Sequence, residues 1–187
     1  MELQKAKSIA DGLLKDLLPF CERAEIAGSV RRKKPEVKDI EIVCIPKLYP
    51  ETDMFGNQIG NLSRLEQNIN ALLKSWKAYC VLNGFKYKKI ALTEHGIKLD
   101  LFIVTPETWG YQFAIRTGPS NYSHWLVTQK RFGGAMPAFA KIENARVLAN
   151  GKLINTPEEK DLFDFLKIEM PDPEFRQAPE RFTVPTK

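Results

Sequence analysis

The segment spanning residues 27–45 constrains the fold of this chain more than any other. A turn at Gly28 and Ser29 leads to Arg31 and Arg32, then to a basic linker, then to Asp39 and Glu41 at the head of the apolar run 40–45. Side chains alternate between the two faces of a strand, so Asp39 and Glu41 point one way while Ile40 and Ile42 point the other. Two acids on one strand face repel each other, and a strand that keeps them places a cation between them. Pro46 ends the run, which reads as a buried strand. Residues 24–27 read as a short strand running into the Gly28 turn.

Around this segment the patterning is mixed. Residues 4–20 have apolar positions at helical spacing, including Ile9, Leu13, Leu14, Leu17 and Leu18. Residues 62–81 repeat the pattern with Leu65, Ile69, Leu72, Leu73 and Trp76 on one stripe. Between these helices, 50–60 is rich in turn residues and is expected to be an exposed loop. Residues 85–93 and 97–104 flank Glu94, His95 and Gly96 as a hairpin. After Pro106, residues 123–132 look helical. Asn150 and Gly151 mark a turn between strands 146–148 and 152–154. Thr156, Pro157, Glu158 and Glu159 form a helix start, with the threonine as cap, and the helix runs to about residue 166. The tail, with Pro171, Pro173, Pro179 and Pro185, is expected to be extended.

Composition excludes several classes. The chain has 187 residues, 43% hydrophobic and 27% charged, as in ordinary globular proteins of one domain or two small subdomains. The longest apolar runs are too short to cross a bilayer, and the N-terminal residues lack the apolar core of a secretory signal, so neither a membrane span nor secretion is expected. Cys21, Cys44 and Cys80 are widely spaced and read as reduced thiols in a cytoplasm-like compartment. His95 and His124 are the only histidines and neither neighbours a cysteine, which argues against zinc. The net charge of +5 suits either a polyanionic partner or plain solubility.

A third carboxylate, Asp100, enters the apolar run 99–104. Placed on a strand beside Asp39 and Glu41, it completes a set able to hold two divalent ions about 3.5–4 Å apart. Magnesium suits carboxylate, water and phosphate oxygens. Upstream, Gly28 lets the backbone approach a phosphate, the Ser29 hydroxyl donates to it, and Arg31 or Arg32 adds a charge-assisted fork.

Together these residues resemble the family X DNA polymerases, the group that includes DNA polymerase beta, within the nucleotidyltransferase superfamily. Members carry Gly-Ser-x-Arg-Arg, then Asp-x-Asp, then a strand aspartate, then a Tyr-Phe-Thr-Gly-like segment and a small C-terminal domain. Gly28, Ser29, Arg31 and Arg32, then Asp39 and Glu41, then Asp100, then Thr117 and Gly118 occupy those places here. Residues 104–110 fit the family's linker, and 156–163 and 171–176 resemble its last helix and tail. The chain departs at Glu41, where close relatives have aspartate, and at Ile115 and Arg116, where aromatic residues gate the sugar. It resembles the minimal two-subdomain polymerases of some viruses. Only one helix fits before residue 24, so no helix-hairpin-helix module or lyase domain is expected there.

The resemblance implies an α+β fold. Residues 1–105 would form a nucleotidyltransferase palm with a mixed β-sheet and flanking helices, and residues 106–187 a small C-terminal α/β nucleotide-binding subdomain. The implied activity is that of a monomeric DNA-directed DNA polymerase filling short gaps in repair. Its substrates would be deoxynucleoside triphosphates and primer-template or gapped DNA, with a separate ligase or end-processing protein alongside, in the cytoplasm, a nucleoid or a viral factory. Asp39, Glu41 and Asp100 would be catalytic and bind two Mg2+ ions, with Mn2+ as a substitute. Gly28, Ser29, Arg32, Lys38, Ile115, Arg116, Thr117, Gly118 and Ser120 would line the nucleotide, and Asn121, Lys130 and Arg131 would contact DNA. Tyr122 and Trp125 are core residues or base-stacking platforms. Two other readings remain open: transfer without a template, or onto RNA or a small molecule, and a catalytically inactive nucleic-acid-binding module.

Overall fold

Ala6, Ala10, Leu13 and Leu17 are the buried stripe of α1 (Leu3–Leu17), the first element of the computed structural model, which describes residues 1–184. Pro185, part of the proline-rich tail, lies outside the described residues. Pro19 closes α1 through a 3-10 turn and the chain enters β1 (Cys21–Ile26), then the single turn α2 (Gly28–Arg31), then β2 (Asp39–Pro46). A side hairpin follows, β3 (Leu48–Thr52) with β4 (Gln58–Ser63), then α3 (Arg64–Ser75). Strands β5 (Ala78–Asn83), β6 (Tyr87–Leu92) and β7 (Ile97–Ile103) complete the first half.

The chain divides into two compact units. One comprises Met1–Ile26 and Pro35–Val104, the other Ala27–Lys34 and the residues from Thr105 on. The segment around Gly28 therefore belongs to the second unit, although its flanking strands build the first.

The first unit holds a five-stranded sheet of order β1-β2-β7-β6-β5. β2 and β7 run parallel and the other neighbours antiparallel, so the sheet is mixed. Its covered face carries Ile40, Ile42, Leu99, Leu101 and Ile90, all fully buried. Helix α1 packs on β1 and β2, and α3 on β5. The indole N–H of Trp76 donates to Asp16 Oδ2 at 2.8 Å and ties the two helix ends together. Lys88 shares this face and is fully buried, with its ammonium 2.9 Å from Glu66 Oε2 of α3. A buried charge is tolerable only when paired in this way.

Two expectations fail in this unit. Residues 50–60 are not a loop, because β3 and β4 pair antiparallel across them. The turn is built by Asp53, whose Oδ1 accepts from the N–H groups of Phe55 and Asn57, with Gly56 at φ +83°. Nor does the second helix reach residue 81. It starts where the Ser63 hydroxyl accepts from Glu66 N–H, and it stops at Trp76 with Lys77 at φ +47°. Residues 78–83 are the edge strand β5.

The second unit adds α4 (Trp109–Thr117), α5 (Ser120–Val127), β8 (Ala140–Glu143), β9 (Arg146–Ala149), β10 (Lys152–Leu153) and α6 (Glu159–Leu166). β8, β9 and β10 form a three-stranded antiparallel sheet. The core gathers Tyr111, Ala114, Tyr122, Leu126, Met136, Val147 and Phe163, so Tyr122 is a core residue. The helix expected over 123–132 is α5 followed by a separate 3-10 turn at Lys130–Phe132. Glu158, not Thr156, caps α6 through a box with Asp161. Thr156 is buried and its hydroxyl donates to the carbonyl of Glu107. The tail folds into a short 3-10 turn at Pro173–Phe175.

Two glycines separate propensity from packing. A Cβ on Gly12 meets nothing within 4 Å, so Gly12→Ala is expected to stabilise α1 by about 0.5–1 kcal/mol. A Cβ on Gly110 falls 1.9 Å from the Glu158 carbonyl oxygen, so Gly110→Ala is expected to destabilise by about 3 kcal/mol or more. Urea unfolding of both variants checks this.

Candidate functional site

Cross-strand register places the charged residues on the open face of the first unit. Asp39 pairs with Lys98, Lys98 with Ala91 and Ala91 with Tyr79, forming one row across β2, β7, β6 and β5. The next row contains Glu41, Asp100 and Lys89. Paired residues share a face, so Asp39, Glu41 and Asp100 lie together, opposite the buried isoleucines and leucines. All three acids are half-buried. Glu41 and Asp100 are direct neighbours on parallel strands about 4.8 Å apart.

Asp100 is oriented by two residues that lie outside the sequence motif. The Tyr87 hydroxyl donates to Asp100 Oδ1 at 2.7 Å, and the Lys89 ammonium stands 3.7 Å from the same oxygen. The Tyr87 ring stacks on Phe102 with centroids 5.1 Å apart, which fixes the hydroxyl. A signal for both residues existed. Counting back from the Gly96 turn sets Leu92 opposite Ile97, hence Lys89 opposite Asp100 and Tyr87 opposite Phe102.

The donor chemistry fits a hard divalent ion: three carboxylates on one face, two of them adjacent. As the side chains stand, no group of three His, Cys, Asp or Glu among the described residues converges closely enough to hold a metal. Bringing the set together requires side-chain rotation among the three acids.

The second unit contains the Gly28 turn. Gly28 has φ +62°, a conformation that favours glycine. The Ser29 hydroxyl oxygen is shut off from solvent and has no hydrogen-bond partner among the described residues. A buried unsatisfied hydroxyl is costly and calls for an explanation. Arg32 donates to the Thr117 carbonyl oxygen. Arg31 is fully engaged: it donates to Thr117 Oγ1 at 2.7 Å and forms a two-pronged pair with Glu159 at 3.0 and 2.8 Å. It also lies 4.0 Å over the Phe113 ring. Arg176 closes the cluster on Glu159 Oε1 at 2.7 Å. None of these contacts is local in sequence, so no motif announces them.

The remaining predicted residues are distributed as follows. Lys38 lies exposed in the first unit, just before β2. Ile115 and Arg116 are half-buried in the last turn of α4. Thr117 is fully buried with its hydroxyl held by Arg31. A Cβ on Gly118 would stand 2.8 Å from the Tyr122 ring, so glycine is needed there for close packing. Ser120 and Asn121 are exposed at the start of α5, and Lys130 and Arg131 are exposed in the 3-10 turn. The three cysteines are free thiols, and among the described residues no helix is long and apolar enough to cross a membrane. Among known proteins, no family profile and no curated sequence matches this chain.

Glu159 gives the second unit a pH signature. Burial pushes its carboxyl up, but the hydrogen bonds and charges of Arg31 and Arg176 outweigh that, and the net shift is downward from 4.5. A depressed carboxyl contributes stability above its unfolded value and loses it as the pH falls through the folded one. Glu159→Gln is therefore expected to cost about 3 kcal/mol at neutral pH. Unfolding curves should show this gap closing as the pH drops below 4.5.

Proposed function

We propose that this chain is a metal-dependent nucleotidyltransferase of the family X DNA polymerase type. It would move a nucleotide from a deoxynucleoside triphosphate to the 3′ hydroxyl of a DNA primer, in short-gap filling. The observation that carries this reading is the open sheet face on which Glu41 and Asp100 stand side by side with Asp39 two residues along. A further support is the unsatisfied Ser29 hydroxyl beside a positive-φ glycine, in the unit that also contains Thr117 and Gly118.

The reaction forms a bond from the 3′ oxygen to the α-phosphorus and breaks the bond to pyrophosphate. Asp39, Glu41 and Asp100 would hold two magnesium ions, with manganese as a substitute, and the bound metal would supply Lewis acidity for the hydroxyl and the leaving group. Asp100 accepts the hydroxyl proton, and Tyr87 and Lys89 hold it in place until substrate binds. Ser29 donates its free hydroxyl to a phosphate oxygen. Arg31 acts by positioning: its contacts with Thr117 and Glu159 anchor the turn that carries Ser29.

Primer extension on gapped DNA tests the reading. Wild type should incorporate deoxynucleotides with magnesium and stop when EDTA is added. Asp39→Ala and Asp100→Ala should each lose at least about 100-fold. Equal incorporation by wild type and both variants would overturn it.

A further inference from the structure

Beside the carboxylates, the open face of the first unit sinks into a depression of about 400 Å³, lined by Lys38, Asp39, Tyr79, Lys89, Ala91 and Lys98 among others. We propose that this depression binds a single-stranded segment of nucleic acid, with backbone phosphates on Lys38, Lys89 and Lys98 and a base stacked on Tyr79. The choice of occupant rests on the transfer reaction proposed above, and the segment is an unpaired stretch of its nucleic-acid substrate.

Charge makes the first argument. Three lysines face one carboxylate in this depression. Lys38 and Lys98 form no ion pair within 4.0 Å among the described residues, so their charge is available to a ligand. Lys89 is shared. Its ammonium lies 3.7 Å from Asp100 Oδ1, so a phosphate drawn to Lys89 competes with Asp100 and frees that carboxylate.

Tyr79 makes the second. It stands on the edge strand β5 and remains 58% exposed, although a large aromatic ring gains by burial. Its register partner is Ala91, the smallest side chain in the row, so the floor beside the ring stays open. A ring at the rim of a lysine-lined floor is the pairing that single-strand binders use: cations track the backbone and aromatic faces take bases. The row from Asp39 to Tyr79 crosses three strand intervals, about 14 Å. An acidic peptide would satisfy the lysines and leave the ring without a flat partner.

Binding of short labelled oligothymidylate and oligouridylate, followed by fluorescence anisotropy in EDTA without nucleotide, tests this site. Tyr79→Ala is expected to weaken binding about 5- to 150-fold, and Tyr79→Phe to bind as wild type does. Lys38→Ala with Lys98→Ala should lower the slope of log affinity against log salt by about 1.4, two single-strand phosphate contacts. Either oligonucleotide binding through Tyr79 supports the site and tells DNA from RNA. Labelled heparin should respond to the lysine changes and not to Tyr79→Ala. Unchanged affinity and slope in both variants, or an equal heparin loss on Tyr79→Ala, would overturn the proposal. All these variants are surface changes and should unfold at the wild-type midpoint. No metal or triphosphate is present, so the outcomes separate. Binding through Tyr79 without primer extension keeps this site and removes the transfer reading. Extension without that binding removes the site alone.

Discussion

The parallel pairing of β2 with β7 is the constraint on which the functional face depends. It sets Glu41 beside Asp100 and Asp39 beside Lys98, joining segments far apart in the chain. What fixes that register is the opposite face. Ile40, Ile42, Leu99 and Leu101 are fully buried under the helices. A slip of β2 by one residue would turn Ile40 and Ile42 toward water and drive Asp39 and Glu41 into the core. Each of those side chains is worth about 1.5–3 kcal/mol on burial, so the carboxylates sit where they do because the aliphatic residues leave no alternative.

The two units carry different sets of charged groups. The first presents acids and lysines in adjacent rows on a rigid sheet. The second holds the Gly28 turn in place with an ionic cluster in which Glu159, 8% exposed, is gripped by two arginines. Arg31 and Arg32 are neighbours in sequence and both reach Thr117, Arg31 at its hydroxyl and Arg32 at its carbonyl oxygen. Arg31 spends its guanidinium on Thr117 and Glu159, and is thereby a structural anchor.

Legibility in the sequence tracked the range of the interactions responsible. β2 and the β6–β7 hairpin could be read because alternation and a glycine turn are local signals. Helix α4 could not, because Trp109 through Ala114 are all buried and no polar stripe marks a period. β8 was hidden by its turn, which places Asn144 and Ala145 at positive φ without a glycine. The side hairpin β3–β4 was masked by Pro50 and Gly60, residues that usually break strands. In the site, the acids were visible as a spacing, whereas the Tyr87 contact depended on counting register and the Glu159 cluster on tertiary packing.

We propose that Asp39, Glu41 and Asp100 act together as one cation-binding set. Manganese binding followed by electron paramagnetic resonance, in the presence of a non-hydrolysable deoxynucleoside triphosphate, tests it most directly. Manganese is expected to bind tightly to wild type, with strongly weakened binding in each of Asp39→Asn, Glu41→Gln and Asp100→Asn. Wild-type binding retained in all three variants would contradict it.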